Sequence, residues 1–143
     1  MVRPATHDDV PALVTLGAQF HASTPYGALV PWNAAHVAEV TTALVSGERS
    51  TVLVADRDGT PVGMLALALY PHPVSGELVA SELVWFVDPA HRGVGVRLLR
   101  AGEAWAQDRG ATVMQMVAPS EDVGQMYARL GYTPVETAWQ RRM

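Results

Sequence analysis

Glu82-Leu83-Val84-Trp85-Phe86-Val87-Asp88-Pro89 leads through Ala90-His91 into Arg92-Gly93-Val94-Gly95 and then Val96-Arg97-Leu98-Leu99. The apolar run ending at Val87 reads as a buried strand. The two glycines free the backbone, and the alternation of apolar and charged residues after them reads as a helix. A strand-to-helix turn of this kind aims unpaired amides and the positive end of a helix dipole at one point, which is what a phosphate or pyrophosphate needs. The stretch therefore points to a nucleotide-like cofactor gripped by Arg92, Gly93, Val94, Gly95, Val96 and Arg97. Taken alone, two glycines in such a turn are equally explained by steric need.

Outward from this stretch the chain carries a regular succession of signals. Val2 to Ala5 reads as a short strand, and Asp9 to Phe20 as a helix with the apolar stripe Val10, Leu13, Val14, Leu16 and Phe20. Residues 22 to 32, with two prolines and a glycine, read as an irregular connection, and Asn33 caps a helix that runs to Val45 before Ser46-Gly47. Thr51 to Ala55 and Pro61 to Tyr70 form a hairpin through Arg57-Asp58-Gly59. Then come a strand at Leu78 to Val87, a helix at Val96 to Arg109, a strand at Thr112 to Val117, a helix at Glu121 to Leu130 and a last strand at Thr133 to Gln140. The order predicts an α+β fold, one domain over residues 1–143, with a mixed and mostly antiparallel sheet of about six strands flanked by four helices.

The composition narrows the function. The 143 residues are 49% apolar and 17% charged, enough for one core and one domain. Cysteine is absent, which removes thiol nucleophiles, thiolate-zinc sites and disulfides together and fits a cytoplasmic setting. No apolar run reaches the roughly 20 residues of a membrane span, and no basic-then-apolar leader pattern is present, so no membrane partner is expected. The net charge of −4 argues against nucleic acid as a partner. The five histidines share no metal-ligand spacing, so no metal is expected.

Val87-x-Pro89-x-x-Arg92-Gly93-x-Gly95, followed by a helix with Leu98 and Leu99, resembles the acetyl-CoA-binding motif of the GCN5-related N-acetyltransferases, the GNAT family. Tyr127-Ala128-Arg129-Leu130-Gly131-Tyr132 resembles the tyrosine helix and Gly-aromatic turn near the C-terminus of the same family. The element order also fits, so the resemblance spans essentially the whole chain. There is a departure: with the helix as anchor, Gly93 and Gly95 take the two small positions, Ala90 stands where Arg or Gln is usual, and the turn is about two residues short.

The resemblance implies acetyl-CoA as co-substrate and an amine acceptor, small-molecule or peptide, acylated by direct attack in a ternary complex. It implies that the backbone of Trp85, Phe86 and Val87 pairs with the pantetheine arm and that an amide there polarises the thioester carbonyl. It puts Tyr127 where many members protonate the leaving thiolate, and Ser120 where a cofactor contact is common; Ser120 is also explained as a helix cap. A homodimer is compatible with it. Glu82 is the candidate base. By strand alternation it shares a face with Val84 and Phe86, and a carboxylate within an apolar strand must be paired, solvated by a cleft or protonated. An arginine partner or a sheet-edge position is the bland alternative. Tyr26, Trp32, His72 and Trp139 are candidates for the acceptor pocket, with core or surface packing at least as good an explanation of each. A competing reading is a non-catalytic acyl-CoA-binding module or sensor; a toxin acting on aminoacyl-tRNA is disfavoured by the acidic balance.

Overall fold

The computed structural model describes residues 1–143. Five strands, β1 (Val2–Pro4), β2 (Ser50–Arg57), β3 (Thr60–Pro71), β4 (Leu78–Val87) and β5 (Val113–Gln115), lie side by side in chain order. The first four pair antiparallel, and β5 joins β4 in parallel. A parallel neighbour requires a crossover, supplied by helix α4 (Gly95–Asp108). Helices α1 (Val10–Ser23), α2 (Tyr26–Leu29) and α3 (Ala34–Ser46) fill the link between β1 and β2, and α5 (Glu121–Arg129) follows β5.

Both faces of the sheet are covered, which is why residues 52–55 of β2 and 61–69 of β3 carry no polar side chain. On one face Leu13 and Leu16 of α1 pack on Val52, Val54, Met64 and Ala66. On the other, Leu98 of α4 packs on Leu53, Leu65 and Leu67. The helix approaches closely because Gly102 has no side chain: a Cβ there would lie 2.6 Å from Leu65 Cδ2. The β2–β3 turn uses Asp58 and Gly59, both at positive φ (53° and 85°), as the Asp-Gly signal requires. Asn33 caps α3 by accepting from the His36 amide at 3.0 Å.

Two features depart from the sequence expectation. Residues 22–32 include the short helix α2. The expected strand at Thr133 to Gln140 does not form. No backbone hydrogen bond involves residues 133–143, and Val135 and Trp139 stand 80% and 90% exposed. The sheet therefore has five strands rather than six, and residues 140–143 line an open cavity together with Leu29 and Val30.

An ion-pair network that the sequence does not announce ties β1 to its neighbours. Arg3 grips Asp9 through two bonds of 2.7 and 3.0 Å and reaches Asp56 on β2 at 2.6 and 2.8 Å. Hydrogen bonding to Arg3 outweighs burial and holds the Asp9 carboxyl down at about 2. A carboxyl depressed in the folded state stabilises the fold above its unfolded pKa, and the gain is lost as pH falls from about 4 toward 2. Asp9→Asn is expected to cost about 2 kcal/mol at pH 7. Thermal melts of both proteins at pH 7 and pH 2.5 check this: the gap narrows to about a third at the lower pH.

Candidate functional site

Strand β4 does not run straight along its neighbours. Its register with β3 shifts between Ala66 and Leu67, so that Ala66 faces Val84 while Leu67 faces Glu82 and Leu83 is left over. Leu83 is the bulged residue and is 53% exposed. The extra residue reverses the alternation. Val84 and Phe86 pack on the α1 side, whereas Glu82 stands opposite Leu67, which packs on the α4 side. Glu82 therefore shares its face with Trp85 and Val87, not with Val84 and Phe86 as uninterrupted alternation predicts.

The same strand loses its outer partner. Pairing with β5 covers Val79, Ala80 and Ser81 and then stops. Asp88 donates to Val62 on β3, so by alternation the amides of Phe86 and Val84 also face β3. Those of Trp85 and Val87 face the open gap.

Beyond β4 the chain makes a short 3₁₀ turn at Pro89–His91, then reaches Gly93 at a φ of +101°, a conformation that suits glycine. Helix α4 opens at Gly95. Its first in-register bond is from the Leu98 amide to the Val94 carbonyl at 3.1 Å, which leaves the amides of Gly95, Val96 and Arg97 without a backbone acceptor. Gly95 also lies against the Trp85 ring: a Cβ would come within 3.2 Å of its Cζ2.

A cleft of about 410 Å³ collects these parts. One wall is the end of β4 (Trp85, Phe86, Val87) with Arg92, Gly93 and Gly95; the second is the start of α5 with Pro119 and Ser120; the third is the end of α1 at Phe20, Ser23 and Thr24. Val94, Val96 and Arg97 adjoin the turn without lining the cleft; Val94 packs into the core and Val96 and Arg97 are exposed. Ser120 caps α5, its hydroxyl accepting from the Val123 amide at 3.4 Å, and also lines the cleft. Arg92 has no ion-pair partner in the chain. The contribution of α1 is what sequence reasoning missed: Phe20 reads as one more member of an apolar stripe.

Glu82 and Tyr127 sit behind the cleft wall. Burial pushes the Glu82 carboxyl up to about 7, against the opposing pull of the Val117 and Trp85 amides. The Val117 amide donates to Glu82 at 2.7 Å, and Tyr127 donates its hydroxyl to the carbonyl of the same residue at 3.0 Å. Tyr127 is 6% exposed and its ring stacks on Trp85 at 5.6 Å. Burial, reinforced by the nearby Glu82 charge, raises its pKa well above the ordinary phenol value. Tyr132 extends the stack and donates to Glu103 at 2.8 Å.

The acceptor candidates disperse. Tyr26 stands beside the cleft with its ring 5.9 Å from Phe20. Trp32 packs against Gly17 and His21 of α1, filling the gap that a small residue leaves. His72 lies in the β3–β4 connection, at the far end of β4 from the glycine turn, with its Nδ1 accepting from the Val74 amide. Packing and turn-building therefore account for Trp32 and His72. No three His, Asp or Glu side chains converge as a metal site would require, and no helix is long and apolar enough to cross a membrane.

The sequence model of the Acetyltransferase (GNAT) family matches residues 18–132. An aminoglycoside N(6')-acetyltransferase type 1 of Klebsiella aerogenes is 33% identical over 81 residues, 53% of this chain, and the chain spans about half (53%) of that relative's length. Among solved structures, a tetramutant of the BH1408 protein from Bacillus halodurans superposes with a TM-score of 0.84 at 20% identity, over 100% of this chain and 99% of that one. A ribosomal-protein-alanine N-acetyltransferase of Brucella melitensis biovar Abortus superposes at 0.77 with 19% identity, over 100% and 98%. At those identities the superpositions speak for the fold, and the sequence match over most of the chain speaks for descent. The chain belongs to the GNAT family of acetyltransferases.

Proposed function

We propose that this protein transfers the acetyl group of acetyl-CoA to a primary amine by direct attack within a ternary complex. The observation that carries the reading is the set of unengaged amides at Gly95, Val96 and Arg97, where the glycine turn meets an unpaired stretch of β4. The fit to a CoA diphosphate is steric as well as electrostatic, since Gly95 leaves no side chain between the Trp85 ring and the cleft. Each amide or dipole contact contributes about 0.3–1 kcal/mol, so several must act together. Arg92 supplies a charge-assisted bond to the same group.

Bound there, the cofactor supplies an activated acyl group. The outward amides of Trp85 and Val87 are the donors in reach of a thioester carbonyl. An acceptor amine of ordinary basicity is protonated at neutral pH, and a buried carboxylate with a pKa of about 7 is suited to take that proton. Because Glu82 does not line the cleft, the proton travels by way of water. With no cysteine in the chain, an acyl-cysteine intermediate is ruled out, which favours direct transfer.

Aminoglycosides and peptide amines both belong in an acceptor panel, the first suggested by the Klebsiella relative. The excess of carboxylates over arginines suits a cationic acceptor. The test is CoA release across such a panel, run beside calorimetric titration of acetyl-CoA. One amine that releases CoA supports the reading; no binding at millimolar acetyl-CoA removes it.

A second reading, acyl-CoA binding without transfer, draws on the internal engagement of Tyr127, whose only hydroxyl proton is committed to Val117. Tyr127→Phe separates the two roles because the ring stack survives. If Tyr127 protonates the leaving thiolate, kcat is expected to fall about 10-fold or more with acetyl-CoA affinity unchanged; an unaltered kcat makes the residue structural.

A further inference from the structure

Glu82 does more than occupy a buried position beside the cleft. After Ser81 the strands β4 and β5 part, and this one side chain spans the opening. On the far side its Oε2 accepts from the Val117 amide at 2.7 Å. On the near side the Trp85 amide faces the same gap and favours the ionised form of the carboxylate. Val117 is shared in turn, because its carbonyl holds the Tyr127 hydroxyl. The gap that an incoming acyl arm would enter is therefore bridged, in the free protein, by a carboxylate of the chain itself.

We propose that Glu82 is a clasp across the β4–β5 gap, opened when a thioester carbonyl takes the Trp85 amide, so that the side chain becomes a stronger proton acceptor only after the acyl donor is in place. The proposal rests on the acetyl-CoA reading above. A hydrogen bond to a carboxylate favours its ionised form, so losing one donor raises its proton affinity. Donor binding is then linked to proton uptake, and the linkage is reciprocal: affinity for the donor rises as pH falls through the Glu82 titration. The surroundings offer no competing charge. Leu67 opposes Glu82 on β3, the ionisable neighbour from α5 is Tyr127, and no ion pair reaches the carboxylate.

Calorimetric titration of acetyl-CoA at pH 7, repeated in buffers of different ionisation heat, counts the protons. If the carboxyl rises by about one unit from near neutrality, wild-type protein is expected to take up roughly 0.4 proton per site. The uptake disappears at pH 9 and in Glu82→Gln, which still binds. Binding without uptake, or the same uptake in Glu82→Gln, overturns the clasp and leaves acetyl-CoA binding intact; absence of binding removes the reading beneath it. Should Glu82→Gln fail to fold, wild-type protein carrying carbon-13 in its glutamate carboxyls provides the same answer. The glutamate titrating near neutrality is expected to shift upward with acetyl-CoA bound, and an unmoved titration overturns the proposal.

Discussion

Glu82→Gln is expected to lower kcat by about 10²–10⁴, the usual contribution of a positioned base, while acetyl-CoA affinity changes little. The amide keeps an acceptor for the Val117 N–H, so the site's architecture persists. The pH profile is the sharper readout. Wild-type kcat rises above neutrality as the carboxyl, held up by burial to about 7 in the free protein and higher with the donor bound, loses its proton. The variant has no such limb. Stability moves in the opposite direction. A glutamate whose folded pKa lies above its unfolded value contributes stability below about pH 4.5 that is lost as pH rises through 7. Above pH 7 the buried charge weakens the fold, by an amount on the order of 3 kcal/mol at most. Removing it is therefore expected to raise Tm at pH 8 by several degrees while turnover collapses. A variant as active as wild type across the pH range, with unchanged Tm, would free Glu82 of any role in proton transfer.

That combination is typical of a position kept for chemistry rather than for folding, and it bears on what the sequence can disclose. Patterns dictated by local backbone chemistry were legible. Asn33 caps because its side chain reaches the His36 amide, Asp58-Gly59 turns because both residues accept positive φ, and Leu78–Val87 is the strand that its apolar run predicts. The glycine turn belongs to the same class. Features settled by long-range pairing were not legible. Nothing in Glu82-Leu83-Val84 marks Leu83 as the residue without a partner, because a bulge is a property of two strands in register and period-two reading assumes none. The error is consequential: it assigns Glu82 to the wrong face of the sheet. The tail shows the converse. Thr133 to Gln140 has the composition of a strand, yet strand propensity has little effect until an edge supplies hydrogen bonds, and none does. The end of α1 enters the cleft wall for a third reason, since its position follows from how the helix packs across the sheet.

Gly95→Leu is expected to weaken acetyl-CoA binding about 100-fold or more, the loss of several amide contacts at roughly 0.3–1 kcal/mol each together with the steric block. The argument starts from the 3.2 Å that separates a Cβ at this position from Cζ2 of Trp85 and the 3.7 Å to Cγ2 of Val87. The indole stacks on Tyr127 and cannot retreat freely, so further side-chain atoms must project toward the cleft. There they meet the space in front of the amides of Val96 and Arg97. The backbone itself does not resist the change. Gly95 is the first helical residue and its φ is not positive, so leucine favours the helix by about 0.5–1 kcal/mol over glycine. Affinity and stability should therefore separate: calorimetry shows binding lost, while thermal melting shows Tm moved by only a few degrees, because the helix preference is offset by crowding against Trp85. Gly93→Leu provides the contrast, because at a φ of +101° a side chain strains the turn and lowers Tm as well. Unchanged acetyl-CoA affinity in a folded Gly95→Leu protein would mean that the diphosphate lies elsewhere, and the mouth of α4 would lose its assignment.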